Sequence, residues 1–233
     1  MQRLNEPNLV FSDLDGTLFR GNATRLLLDK AYERKYLDRS NVAQGMFVAT
    51  FSRPLPLDVR MQLGWNTLAR LFKGKSYAAF QELAMECAEY IVNNLYQDVA
   101  ERLVAHQAAG AKIILVSASP EDIVRRVANY LNFSDVEASQ LEVSQDGAYL
   151  TGRRRSPLCY GAEKVRRAQL ACNRLNAEAG ESAAYTLKRA AYYADDRSDY
   201  PLLARVGQPV VVNPSSEFYE KVQEYDWQVM ISA

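Results

Sequence analysis

The chain has 233 residues, 48% hydrophobic and 24% charged, with 28 basic and 28 acidic side chains. Such a length and composition specify one large globular domain, or one core with a small insert, and exclude disordered and fibrous chains. Zero net charge gives no global field toward nucleic acid or an anionic membrane.

Val206–Ser216 is uncharged but holds two Pro and several polar residues, unlike the roughly 20 apolar residues of a bilayer span. Met1–Pro7 lacks the apolar core of a signal peptide. Cys87, Cys159 and Cys172 form neither a disulfide framework nor a zinc ligand set. A reducing, cytoplasmic setting is therefore expected.

In chain order, Leu9-Val10-Phe11-Ser12 reads as a buried strand running into Asp13-Leu14-Asp15-Gly16-Thr17-Leu18, where Gly16 permits a tight turn. Residues 21–94 carry apolar side chains at three- and four-residue spacing, with breaks at Ser52–Pro56 and Phe72–Lys75. They read as an inserted helical subdomain without strands, between core segments 1–20 and 95–233. Asp98–Ala109 is helical, with Gly110 as its stop. Lys112–Ser117 is a buried strand. Ser119 is read as the N-cap of the next helix, with Pro120 at its first position and Glu121 and Asp122 suiting the helix dipole.

Leu141–Thr151 has a hairpin pattern turning at Asp146-Gly147, and Gly161–Asn176 is helical. Ala190–Ala194 is a strand ending at Asp195. Ser198–Arg205 is a short helix, and Pro209–Val212 a further strand. Alternation of this kind predicts an α/β fold, a Rossmann-like parallel sheet with helices on both faces.

Ligands of open α/β sheets bind at the carboxyl ends of strands, so Asp13/Asp15, Ser117 and Asp195/Asp196/Asp199 should converge on one crevice. Lys164, near the start of a helix, is a fourth candidate. Clustered carboxylates repel one another, and a hard cation such as Mg²⁺ with oxygen-only ligands relieves this. One carboxylate can attack a phosphoryl group, and a second can move protons at the leaving and attacking oxygens. A hydroxyl and an ammonium can hold the phosphoryl oxygens. Together these parts amount to phosphoryl transfer.

With those residues in view, the chain resembles the haloacid dehalogenase superfamily. Asp13-Leu14-Asp15-Gly16-Thr17 matches its DxDGT motif, Val116–Ser119 its second motif and Tyr160–Lys164 its third. Ala194-Asp195-Asp196-Arg197-Ser198-Asp199 is similar to the fourth. The motifs are in register from Leu9 to Pro214. The helical insert lies where the phosphoserine-phosphatase-like subfamily IB carries its cap.

The resemblance implies that Asp13 is the nucleophile and a Mg²⁺ ligand. Asp15 is implied as the general acid/base, offering its backbone carbonyl to the metal. Thr17 would orient Asp15 or the phosphate. Ser117 and Lys164 would bind the phosphoryl group. Asp195 would ligate the metal, and Asp199 would support it directly or through water.

Asp196 departs from the usual Ser, and Ala194 from the usual Gly. Asn22 falls where phosphoserine phosphatases have a Glu for the substrate amino group, which weakens phosphoserine as the substrate.

The insert has ten Lys/Arg against seven Asp/Glu between residues 21 and 94, mildly favourable to anionic substrates. Arg53 and Arg25 are weak substrate-contact candidates there. Phe47, Phe51, Trp65 and Phe72 are read as helix packing, with an apolar pocket as the alternative. His106, Tyr192 and Tyr193 are read as structural, and Arg153-Arg154-Arg155 as a solvated charge run.

The expected activity is Mg²⁺-dependent hydrolysis of a small phosphorylated metabolite through an aspartyl phosphate, without nucleic-acid or membrane-spanning partners. Alternatives are a phosphotransferase or a lipid-phosphate phosphatase using the same intermediate. A receiver-like phospho-Asp switch is disfavoured by Asp15, which would speed loss of the phosphoryl group.

Overall fold

A computed structural model describes residues 6–179 and 184–232. Residues 1–5 and 180–183, among them most of the segment read above for a leader, lie outside them.

Six strands form one parallel sheet in the order β3-β2-β1-β6-β7-β8. They are β1 (Leu9–Ser12), β2 (Lys112–Pro120), β3 (Asp135–Ser139), β6 (Ala190–Ala194), β7 (Gln208–Val212) and β8 (Gln228–Met230). The sheet is buried on both sides, so its central strands read as continuous apolar runs, and neighbours in sequence face opposite cores. Leu9, Phe11, Ile114, Val116 and Tyr192 pack beneath α7 (Ala162–Ala179) and α9 (Ser216–Val222). Val10, Ile113, Leu115, Ala191 and Tyr193 face the other side, covered by α5 (Gln97–Ala108) and α6 (Glu121–Tyr130).

The helical reading of residues 21–94 corresponds to α1 (Ala23–Glu33), α2 (Arg39–Phe51), α3 (Leu57–Leu71) and α4 (Tyr77–Val92). Two chain crossings tie these helices to the sheet. Tyr96 N donates to Leu18 O at 2.9 Å and Arg20 N to Asn94 O at 3.2 Å. The far end is braced by the antiparallel hairpin β4 (Leu141–Val143) and β5 (Leu150–Arg154). Gly74 N donates to Leu150 O and Tyr77 N to Ala148 O, at 2.8 and 2.9 Å. Tyr77 Oη also donates to Asp122 Oδ1 at 2.7 Å, fastening α4 to α6.

Several sequence expectations are corrected. β3 was not expected, because Asp135 and Glu137 interrupt its apolar pattern. Both carboxylates meet Arg174, at 2.7 and 3.0 Å, while Val136 and Ala138 turn inward. The short edge strand β8 and the helix α9 were also not read. Ser119 is not an N-cap: β2 runs on through it, and α6 begins after Pro120 without a side-chain cap. The expected helix 198–205 is a 3₁₀ turn, Arg197–Asp199, followed by the four-residue α8, Tyr200–Leu203.

His106 has a partner, its Nε2 lying 2.9 Å from the Tyr193 hydroxyl. The arginine run is not uniformly solvated. Arg153 pairs with Glu142 at 2.8 Å, whereas Arg154 is half-buried and one of its terminal nitrogens is sealed without a partner among the described residues.

Candidate active site

The strand order reverses direction at β1, with β2 on one side and β6 on the other. This switch point is where an open α/β sheet leaves a crevice. Asp13 follows β1 and Asp195 follows β6. Their strands are in register, Ser12 beside Tyr193, and Asp13 N donates to Tyr193 O at 2.9 Å. Ser117 lies in β2, two residues beyond Leu115, the partner of Ser12. Lys164 reaches in from the first turn of α7.

Lys164 is 2% exposed, and its Nζ donates to Asp13 Oδ2 at 2.8 Å and Asp199 Oδ1 at 2.6 Å. Asp13 Oδ1 accepts from Leu14 N at 2.7 Å. Thr17 Oγ1 donates to Asp195 Oδ1 at 2.9 Å and so orients that carboxylate. Asp15 faces the helical insert. Its Oδ1 accepts from Ala23 N at 2.7 Å, and its Oδ2 accepts from Ser119 Oγ at 2.5 Å. Ser117 Oγ accepts from Ser119 N at 3.1 Å.

Gly16 makes this geometry possible. Its φ is +74°, and a Cβ there would stand 2.2 Å from Asp195 Oδ2, closer than any contact allows.

Two participants were not read as such from sequence. Tyr192, whose place in the strand suggests packing, donates its hydroxyl to Asp199 Oδ1 at 2.5 Å and lies 3.3 Å from Lys164 Nζ. Ser119, a cap by its sequence context, holds Asp15. The alternation along β6 gives the face of Tyr192 but not the reach of its hydroxyl. Asp196 is exposed and accepts from Ser198 N at 2.8 Å, capping the 3₁₀ turn instead of joining the acidic cluster.

The electrostatics follow from burial. Asp13 is pushed well above the ordinary carboxylate range by burial and by its neighbours Asp199 and Asp195, against the pull of Lys164. Asp15 is raised by burial, moderated by its bonds from Ser119 and Ala23. Asp195 is pushed to about 7 by burial and by Asp199. Burial alone would lower Lys164, but the charges of Asp13 and Asp199 raise it well above its usual value.

Asp13, Asp195 and Asp199 each offer a carboxylate oxygen, all within 4.8 Å of one another. Three carboxylates around one ammonium leave an excess of two negative charges when all are ionised. A buried excess of that sign, presented by oxygen donors alone, fits a hard divalent cation.

Beside the crevice is a cavity of about 710 Å³ between α1, α2 and α3, bordered by Asp15 and Ser119 at the crevice end. Arg25 stands on its rim with an 84% exposed side chain, 3.9 Å from Asp29. Arg53 is exposed on the turn between α2 and α3 and does not line it. Arg60, one turn into α3, does. Of the four insert aromatics, Trp65 lines the cavity, Phe72 is buried in the helix core, and Phe47 and Phe51 stack on each other at the surface.

Fold and site together define a doubly wound α/β protein with an acid-lined crevice at its switch point. Residues 10–204 match the haloacid dehalogenase-like hydrolase family, and the chain belongs to that family; it is an enzyme of the hydrolase class. It is 28% identical to a histidinol-phosphatase of Neisseria meningitidis over 96% of this chain and 98% of that protein. The crystal structure of a protein of unknown function from Bordetella pertussis superposes with a TM-score of 0.79 at 22% identity, covering 95% of this chain and 97% of that one. A probable phosphoserine phosphatase from Vibrio cholerae superposes with a TM-score of 0.71 at 14% identity, covering 97% of this chain and 61% of that one. No described helix is long and apolar enough to cross a membrane.

Proposed function

We propose that this protein is a Mg²⁺-dependent phosphomonoester hydrolase that works through a phosphoryl group carried on Asp13. The observation that carries the reading is the Asp13 carboxylate, fixed by Lys164 in a buried acidic cluster, with Asp15 two residues on held by Ser119. Relatives named as phosphatases support it.

Asp13, Asp195 and Asp199 would hold the ion, which when bound neutralises charge on the carboxylates and on the phosphoryl oxygens. Asp13 attacks phosphorus in line with the ester oxygen. As the phosphorus–oxygen ester bond breaks, the leaving oxygen takes the proton of Asp15. Asp15, now ionised, accepts a proton from water, whose oxygen attacks the phosphoryl group and frees Asp13 and phosphate. Burial of Asp15 favours its protonated form, as the first step requires. Lys164 and Ser117 hold phosphoryl oxygens. Residues 21–94 serve as a cap over the core of residues 1–20 and 95–233, and the substrate is a small phosphorylated metabolite.

The test is phosphate release from a panel of phosphomonoesters with Mg²⁺, with EDTA, and with Asp13→Asn. Release that requires Mg²⁺ and falls by at least about 10³-fold in the variant is expected. A peptide containing Asp13 should carry the phosphoryl group after acid quenching. Undiminished release in Asp13→Asn overturns the reading.

A further inference from the structure

We propose that the cavity between α1, α2 and α3 is the leaving-group pocket, and that the substrates are phosphomonoesters of a bulky, largely apolar alcohol. This rests on the assignment of Asp13 and Asp15 above and names the substrate class of that site.

Position comes first. Asp15, the proton donor to the leaving oxygen, and its partner Ser119 both border the cavity. An ester whose oxygen meets Asp15 therefore projects its alcohol between the helices. The volume, about 710 Å³, falls in the range of small-molecule pockets, roughly 300–1,000 Å³.

The walls come next. One stripe of α3 faces the cavity at helical spacing: Leu57, Arg60, Met61, Gly64, Leu68 and Leu71. Gly45 and Val48 face it from α2. Glycine is a poor residue for a helix interior. Yet Gly45 and Gly64 lie in the middle of α2 and α3, and both border the cavity. A Cβ at Gly64 would meet nothing within 4 Å, and one at Gly45 only Leu71 Cδ1 at 3.9 Å. Packing thus does not demand glycine at either position. What glycine secures there is open space.

The polar groups of the wall are mostly engaged with one another or with backbone. Asn22 Oδ1 is engaged as the N-cap of α1, accepting from Arg25 N at 2.8 Å, and Asp29 is turned toward Arg25. The one carboxylate of the helical walls, Asp29, is therefore already shared with a cation, which disfavours the ammonium of a phosphorylated amino acid. Arg60 is half-buried with no protein partner for its guanidinium among the described residues, so the cavity favours an acceptor group on an otherwise apolar alcohol.

The experiment measures kcat/KM for ethyl, butyl, hexyl and octyl phosphate and for phosphoserine, in the wild type, Gly64→Leu, Gly45→Leu and the milder Gly64→Ala. The expected result is a rise approaching fourfold per methylene where burial is complete. The octyl-to-ethyl ratio should collapse in both leucine variants and fall less in Gly64→Ala. Binding is read independently in Trp227→Phe, which leaves Trp65 as the single tryptophan. Octylphosphonate should quench its fluorescence at far lower concentration than ethylphosphonate.

A flat series, a ratio that survives both leucine variants, or phosphoserine as the best substrate overturns the proposal. Asp13-dependent hydrolysis without tighter octylphosphonate binding overturns the pocket alone. Octylphosphonate binding with no ester hydrolysed overturns the hydrolase reading while the pocket stands.

Discussion

The crevice and the cavity adjoin at Asp15, yet they are built on opposite rules. In the crevice the polar side chains fix one another: Lys164 is held by two carboxylates, Asp199 by Lys164 and Tyr192, Asp195 by Thr17, Asp15 by Ser119 and the first turn of α1. In the cavity the walls are largely apolar, with polar groups spread among them, and two of the facing positions carry no side chain at all. Chemistry needs groups held to fractions of an ångström, which hydrogen bonds between buried charges supply. An apolar leaving group asks only for volume.

The largest effect should come from breaking the over-determined side. Lys164→Met leaves Asp13 and Asp199 facing each other without the ammonium. It should lower stability by about 3–5 kcal/mol, measured by urea unfolding, as well as abolish activity. A loss no larger than that of a surface lysine would show that the crevice is softer than its geometry implies. Removing Ser119 probes the junction. Hydrogen bonds to charged groups contribute about 1.5–3 kcal/mol, so Ser119→Ala should lower kcat by roughly 10- to 100-fold. Its bond pulls the Asp15 pKa down, so its loss raises that pKa. The alkaline limb of the kcat/KM profile should therefore move to higher pH, a shift that a merely structural role would not produce.

On the permissive side the sign reverses. Gly64→Ala adds a methyl group into open space in a helix, and should stabilise by about 1 kcal/mol, raising Tm by roughly 2–4 °C. A fall in Tm would mean that the glycine is structural and the cavity incidental.

The smallest effect lies away from both regions. Burial beside Arg102 lowers the His106 pKa, so the unfolded chain binds its proton more readily than the folded one. His106 should thus cost stability as pH falls below about 6.5, toward its lower folded pKa. His106→Gln should flatten the Tm-against-pH curve in that window, with little change at pH 8.

What the sequence reveals divides along the same line. Asp13 and Asp195 directly follow apolar strands and Ser117 lies near the carboxyl end of another, and a parallel sheet brings such ends together, so local patterns were enough to place them in one crevice. Lys164 and Asp199 belong to short motifs as well. Tyr192 was not legible, because its ring packs in the sheet as the alternation suggests while its hydroxyl crosses to Asp199 from a position with no polar signature. Ser119 looked like a cap because Ser-Pro before Glu-Asp is how many helices begin. Here the strand runs on to Pro120, three residues beyond Ser117. Arg53 was favoured for its Pro-rich break, whereas the cavity is bordered by Arg60, whose helical phase decides where it points. The strand β3 stayed hidden because Asp135 and Glu137 break its apolar run, and their partners Arg125 and Arg174 lie on helices outside the strand.

The placement of Gly45 and Gly64 has a consequence for descent. Neither residue lies in the acidic cluster, and a Cβ at either meets no backbone within 4 Å. A lineage can therefore re-cut the pocket one substitution at a time, from helices that share no hydrogen bond with Asp13 or Lys164, and the hydrolytic machinery passes unchanged to each new substrate.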